Sequence, residues 1–526
     1  MAKLVNQFMG INTFLDQIGN LNPQILRELR GKLKLRSVAV AIAIPVVFQV
    51  LLLLFQSQRT PDGLCQTFRC ADDWQTWWQD QFRTLLYVIP YSLFFVGTFS
   101  LIIDLTQENG KGTLNFIRLS PRSSMTIFLG KLIGVPVLTY LGVALLIPLH
   151  IISGLAGGVS IGFFISYYLL LIAFTFLIFS LAIAFSLIGF GEQKQFGIQA
   201  YGGAIFFGFA SLSFFTPIFI FWNSTTTWLD WQEFIFNFVA DDSNRVIVEW
   251  WFLPIGGNLF LSHLFTLVNI AIISYIIWQV LRRRFYNPKA TVLSKGLSYF
   301  TSAYIEVLVL GFLQRTDTAD LYSATSSTYN FQIILLYIFN FFVIAGLTFV
   351  LTPSRQSVME WAKYGNSSNV LLDLVWLDKS PSILAIALNL LITQSLLAGW
   401  IIFSNNPNKL GSILVLLLLT VQWLFYSLVF QNILLARIGK PLTWGFGTIL
   451  TLTFLPAITM GILGFSTKTA TILWLVLGSL WSSVAFLDAS VSDFIVSCVI
   501  ISIGAGVALT ILVNKLRAMR ATVTAI

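Results

Sequence analysis

Charge is scarce in this chain. Only 10% of its 526 residues are Asp, Glu, Lys or Arg, 56% are hydrophobic, and the mean hydropathy is +0.82. So few polar side chains cannot cover a soluble fold of this size, which excludes a soluble globular protein. Cysteine is rarer still, with three residues. Cys498 falls in an apolar run, where it reads as a small packing residue, while Cys65 and Cys70 stand close enough in one loop to form a disulfide in an oxidising compartment. No histidine shares that loop, so a metal site there lacks ligands. The phosphate cradle G-x-x-x-x-G-K-[ST] is missing too. Gly110-Lys111-Gly112 has neither the earlier glycine at the required spacing nor a Ser or Thr after the lysine. No basic arm with interleaved aromatics occurs, which assigns the net charge of +9 to anionic headgroups and argues against nucleic acid. The first 35 residues also lack the apolar core and cleavage site of a signal peptide.

What the chain does have is a succession of apolar stretches, mostly near the roughly 20 residues that a helix needs to cross a bilayer. They define an all-α polytopic membrane protein with about 12 transmembrane helices between Arg36 and Val513. With both termini on the inside, 24 of the 31 Lys and Arg residues fall in inside segments, the imbalance that orients helices in a membrane. Two assignments depend on that count. Leu297 to Leu313 is short and carries Glu306, yet is taken as a span because otherwise the basic loop Arg355 to Lys379 falls outside. Ala470 to Leu487 is apolar enough to cross, yet is read as re-entrant or interfacial because a crossing there puts Lys515, Arg517 and Arg520 outside.

The spans fall into two pseudo-equivalent halves of six, each with its long inside loop between the second and third. This gives residues 1–35 as an amphipathic cytoplasmic connecting helix, 36–284 as the first half, 285–296 as a basic linker, 297–513 as the second half and 514–526 as a basic tail. The connecting helix starts at Asn22-Pro23, an N-cap followed by proline, and repeats Ile25, Leu26, Leu29 and Leu33 along one face. Between the fifth and sixth spans of each half lies a segment expected to stay at the outer surface, Thr225 to Trp251 in the first half, rich in tryptophan that anchors at the interface.

Inside spans, ionisable groups are few. Glu306 is either a proton- or cation-coupling group or a buried acid hydrogen-bonded to a neighbouring helix, and His263 reads as a satisfied core histidine. On the inside, Leu114, Phe116, Ile117 and Leu119 are spaced for a short amphipathic helix within Glu108 to Pro121, able to dock in a partner's groove or to rest on the membrane.

The run Glu108-Asn109-Gly110-Lys111-Gly112-Thr113-Leu114, then Leu119-Ser120-Pro121, then Gly130-Lys131, resembles the permease subunits of type-2 ABC exporters. Asn22-Pro23 with Leu29-Arg30 is similar to that family's opening helix, and Glu360-Trp361 and Ser380-Pro381 stand at the matching place of the second half without a Gly-Thr-Leu between them. The resemblance implies that Glu108, Gly112, Thr113, Leu114, Ser120 and Pro121, and in the second half Glu360, Trp361, Ser380 and Pro381, form cytoplasmic coupling loops for separate ABC ATPase subunits. ATP and Mg then sit on those partners, with no cofactor on this chain, and one chain can supply both halves of the pathway in a bacterial inner membrane. The expected function is an export permease and not an enzyme. Two alternatives stand beside it: an enzyme or polymerase acting on lipid-linked sugars, for which no catalytic pair is evident, and an ion-coupled secondary transporter.

Overall fold

The computed structural model describes residues 17, 19–58, 74–189, 198–227, 249–255, 259–313, 326–364, 369–404, 408–439, 441–485 and 487–524. Among them the protein is helical, with a single isolated bridge between Trp250 and Leu253 as extended pairing. Among the described residues ten helices are long and apolar enough to cross a membrane, which makes this a polytopic integral membrane protein. The chain divides into two compact units, residues 1–248 with 254–288, and residues 249–253 with 289–526.

The first unit opens with α1 (Pro23–Lys32), followed by α2 (Leu35–Ser57). Asn22 caps α1 by accepting from the Gln24 amide at 3.0 Å, and Pro23 fills the first helical position, where a missing N–H costs nothing. Next, α3 (Trp74–Tyr91) runs through a π-helical turn, Ser92–Gly97, into α4 (Thr98–Gly110). Pro90 and the hydroxyls of Ser92 and Thr98, which donate to the carbonyls of Val88 and Phe94, account for the widened turn. At Gly97 a Cβ would lie 2.2 Å from the Phe179 ring, so only glycine lets the two helices meet there.

Beyond the short α5 (Thr113–Arg118) come α6 (Ser124–Gly134) and α7 (Val137–Ala156). The sequence suggests one span from Phe128 to Ile151; instead the helix breaks at Val135-Pro136, where proline has no N–H to donate. The unit is completed by α8 (Ile161–Gly189), α9 (Ile198–Thr227) and α10 (Leu259–Tyr286). Its core is aromatic and aliphatic, with Phe82, Leu85, Phe94, Phe163, Tyr167 and Phe179 almost fully enclosed. By contrast α2 exposes Val40, Ile44, Val47 and Leu51, as a helix facing lipid does.

The second unit contains α11 (Lys295–Gly311), α12 (Ser326–Leu351), two short helices α13 (Arg355–Tyr364) and α14 (Val370–Trp376), then α15 (Ile383–Phe403), α16 (Lys409–Leu434) and α17 (Pro441–Ile462). Ala470 to Leu487 forms no crossing helix. It is broken into α18 (Thr471–Leu477), a 3-10 turn Ser479–Trp481 and α19 (Ser482–Ala485). This segment is packed inside the unit: Leu475 and Ala485 join its core, and the Gln422 side chain of α16 donates to the Leu475 carbonyl at 2.6 Å. The last helix, α20 (Val491–Thr524), is 34 residues long and packs Ala508 and Leu512 with Val358 of α13 and Leu428 of α16.

Candidate functional site at the cation-rich loops

In the first unit the loop after α4 is built around a buried lysine. Lys131, on α6, is 0% exposed and reaches three carboxylates: Glu28 of α1 at 3.2 Å, Asp104 at 2.7 Å and Glu108 at 2.8 Å, the last two on α4. Arg27 pairs with both Glu28 and Glu108, and Lys32 with Asp104 at 3.1 Å. Three acids and three cations thus interlock, with Lys131 and the acids largely buried and Arg27 and Lys32 partly open to solvent, and each charge has an opposite one at contact. The carboxylate oxygens lie within 4.8 Å of one another, close enough for a metal ion in principle, but the Lys131 ammonium already forms ion pairs with all three.

Glycine brings α1 close enough for this. A Cβ on Gly130 would lie 2.6 Å from the Gln24 Cβ, and one on Gly134 would lie 2.6 Å from the Glu28 Cβ. The four-residue spacing of Gly130 and Gly134 matches that of Gln24 and Glu28, so one helix lies flat in the small-residue groove of the other. The Asn22 side chain adds a hydrogen bond to the Thr126 carbonyl at 2.8 Å. The buried residues of α1 are Glu28 and Leu29, and its seat is α6.

The coupling motif separates into two parts. Glu108 lies in the last turn of α4, ahead of the short helix, and is used within the ion cluster. Gly112, at φ +75°, then turns the chain through the left-handed region that glycine favours and starts α5. Thr113 ties that turn by donating to the Glu108 carbonyl at 3.0 Å. Leu114 and Ile117 are buried, while Phe116 and Leu119 stand 80% and 84% exposed. Ser120 is half-buried, with its amide donating to the Ile117 carbonyl, and Pro121 is exposed.

The corresponding residues of the second unit are joined differently. Lys295, at the first residue of α11, is 1% exposed and donates to Ser380 Oγ at 2.6 Å and to the carbonyls of Leu374 and Pro381 at 2.8 and 3.2 Å. Its backbone amide donates to Asp378 at 2.9 Å. Burial pushes the Lys295 ammonium down to about 8, against the pull of Asp378 and Asp373. Ser380 and Pro381 therefore anchor the loop. Trp361 donates to Asp373 at 3.2 Å, and Glu360 forms an exposed pair with Lys379 at 3.1 Å. Tyr364, Leu371, Leu372 and Trp376 project from α13 and α14, all more than half exposed.

The other candidates lie elsewhere. His263 shares a 2.6 Å hydrogen bond with Ser166 of α8, and Glu306 is buried on α11 against Asn340. Cys65 and Cys70 lie outside the described residues, as does most of Thr225 to Trp251.

Sequence reasoning did not single out Glu28 or Lys295. A signal for the first was available: Lys131, within an apolar run and between glycines four apart, demands a counter-charge from a closely packed helix. None distinguishes Lys295 from its neighbours in the basic linker.

Comparison with family models, with curated proteins and with solved structures finds no match to this chain.

Proposed function

We propose that this protein is the membrane permease of an exporter driven by separate ABC ATPase subunits, in a bacterial inner membrane with both termini cytoplasmic. The observation that carries the reading is the pair Phe116 and Leu119, two large apolar side chains left exposed on a short helix whose opposite face, Leu114 and Ile117, is buried. Such a helix has an apolar face available to a partner's groove, and the ion cluster around Lys131 holds its base firmly. The succession from Glu108 to Lys131 that resembles the type-2 exporter permeases runs through the same place. In the second unit, Leu371, Leu372 and Trp376 on α14 offer a comparable apolar surface without the Gly-Thr-Leu turn.

In this reading α9 and α11 complete twelve crossings, six in each half, and one chain supplies both halves of the pathway. The first has a described apolar stretch of Ala200–Ser213, and the second has 17 residues. Substrate crosses within the membrane part while ATP and Mg remain on the partners.

The test is to purify the tagged full-length chain from its native membrane and assay the preparation for ATP hydrolysis. ATPase activity should accompany the wild type and be lost with the F116A/L119A double variant, whose own thermal unfolding should be unchanged because both side chains are exposed. No ATPase activity with the wild type, or equal activity with the variant, rules the assignment out.

A further inference from the structure

Glu306 is an acid to which the transport reading gives no role. It is 0% exposed and lies on the same face of α11 as Lys295, Ser298 and Ser302, all buried. Its neighbours along that face are already engaged. Ser298 Oγ accepts from Asn389 Nδ2 of α15 at 3.0 Å, and Ser302 Oγ donates to Asn389 Oδ1 at 2.8 Å. Glu306 itself has one hydrogen bond, Oε1 accepting from Asn340 Nδ2 of α12 at 3.2 Å. Among the described residues its second oxygen, Oε2, has no partner, and neither has Asn340 Oδ1.

Two buried acceptors therefore lack a donor. Turning the Asn340 amide over does not supply one. Nδ2 also donates to the Leu336 carbonyl at 3.3 Å, and the reversed amide would set Oδ1 against that carbonyl and against Glu306. Nor does a cation reach the site, since no salt bridge involves Glu306 among the described residues. On the helices around it, α15 carries no titratable residue, and Tyr337 of α12 donates its hydroxyl to the Ser412 carbonyl at 2.7 Å. On α11, Tyr299 donates to the Val375 carbonyl at 2.7 Å and Tyr304 lies half a turn before Glu306, while the acids of the adjoining loop, Asp373 and Asp378, act at the Lys295 end.

An isolated buried carboxylate is far costlier than the neutral acid, so such a group sheds its charge. One proton on Oε2 removes the charge and turns an unsatisfied acceptor into a donor. A hard metal cation suits the site less well, because it calls for about six oxygen ligands and only two here are unsatisfied.

We propose that Glu306 is a proton-binding site within the second unit. It is a carboxylic acid at neutral pH, and it gives up its proton only when α11 and α12 part enough to admit water to Oε2. Proton occupancy and the packing of these two helices are thereby linked: deprotonation loosens α11 from α12, and separation releases the proton. This goes beyond the transport reading and uses none of the surfaces on which that reading rests.

The proposal is tested on the full-length protein in lipid nanodiscs by infrared spectroscopy at pH 7. The wild type should show the carbonyl stretch of a protonated carboxyl, shifted in D2O and absent from Glu306→Gln, with the carboxylate bands of the two proteins equal. A loss of carboxylate absorbance in Glu306→Gln, with no change in the protonated band, overturns it. A change in the Glu306 band on replacing potassium by sodium at fixed pH also overturns it, by making the ligand a metal cation. Should Glu306→Gln not fold, the wild type alone decides. A membrane-soluble carbodiimide, which attacks protonated carboxyls, should modify Glu306 at pH 7 and progressively less as the pH is raised, read by peptide mass spectrometry. Modification that does not fall with pH overturns the proposal as well.

Discussion

Two buried lysines, one in each unit, hold the segments that follow α4 and α12, and they are satisfied in opposite ways. Lys131 is surrounded by three carboxylates from two helices, with further cations behind them. Lys295 is met by a hydroxyl and two carbonyls, its nearest acids being one step removed. In the first, the charge itself forms the joint, so any member that is lost strands the others. In the second, dipoles carry an ammonium that burial makes reluctant to stay charged. Buried lysines in the two units are thus fastened by unlike physics.

The comparison is broken most severely at Lys131. Lys131→Met should destabilise the protein by about 3–5 kcal/mol, the cost of leaving buried acids without their cation, read as a large drop in the thermal midpoint in detergent. If the loss is no greater than for Lys295→Met, the carboxylates are better hydrated than their geometry indicates and the contrast fails.

Lys295→Met should cost less, about 1–3 kcal/mol, since it strands only neutral acceptors. Gly134→Leu sharpens the first joint from its other side. It drives a side chain into Glu28 and should cost about 1–3 kcal/mol, with α1 lifting from α6 and protease cleavage appearing near Arg27.

A smaller effect concerns pH. The Lys295 ammonium titrates near 8 in the fold and at an ordinary 10.5 once unfolded, so at neutral pH the folded state carries the charge at a cost. That cost is relieved as the pH rises from about 8 to about 10.5, so the unfolding midpoint should rise over that window relative to Lys295→Met. The opposite trend would show that the three acceptors favour the charged form. Smallest of all is Gly112→Ala, which puts a side chain in left-handed backbone with open space around it and should cost about 1 kcal/mol.

Much of this architecture was legible in the sequence because apolar length translates directly into helices. The ends of α2, α8, α15 and α16 fall within a few residues of the apolar stretches that announce them. Charge distribution separated Ala470 to Leu487 from the crossing helices where hydropathy alone did not, and the structure breaks that segment into short turns. Two things stayed hidden for one reason, that they depend on contacts between distant residues. Glu28 reaching across to Lys131 and Lys295 reaching 85 positions onward to Ser380 both need a partner that no local pattern names. Likewise the motif around Glu108 could not show that its acid faces inward while Phe116 and Leu119 face out.

The final helix has a consequence in lengths. At about 1.5 Å per residue, the 34 residues of α20 make a rod of about 50 Å, some 20 Å more than the hydrocarbon layer is thick. The surplus is not free in solution: Lys515 donates to the Asn432 carbonyl of α16 at 2.9 Å, and Leu512 is clamped against Val358 of α13. A displacement of α13 therefore acts on one end of a single continuous helix whose other end starts beside Ser490, with no intervening loop along its length.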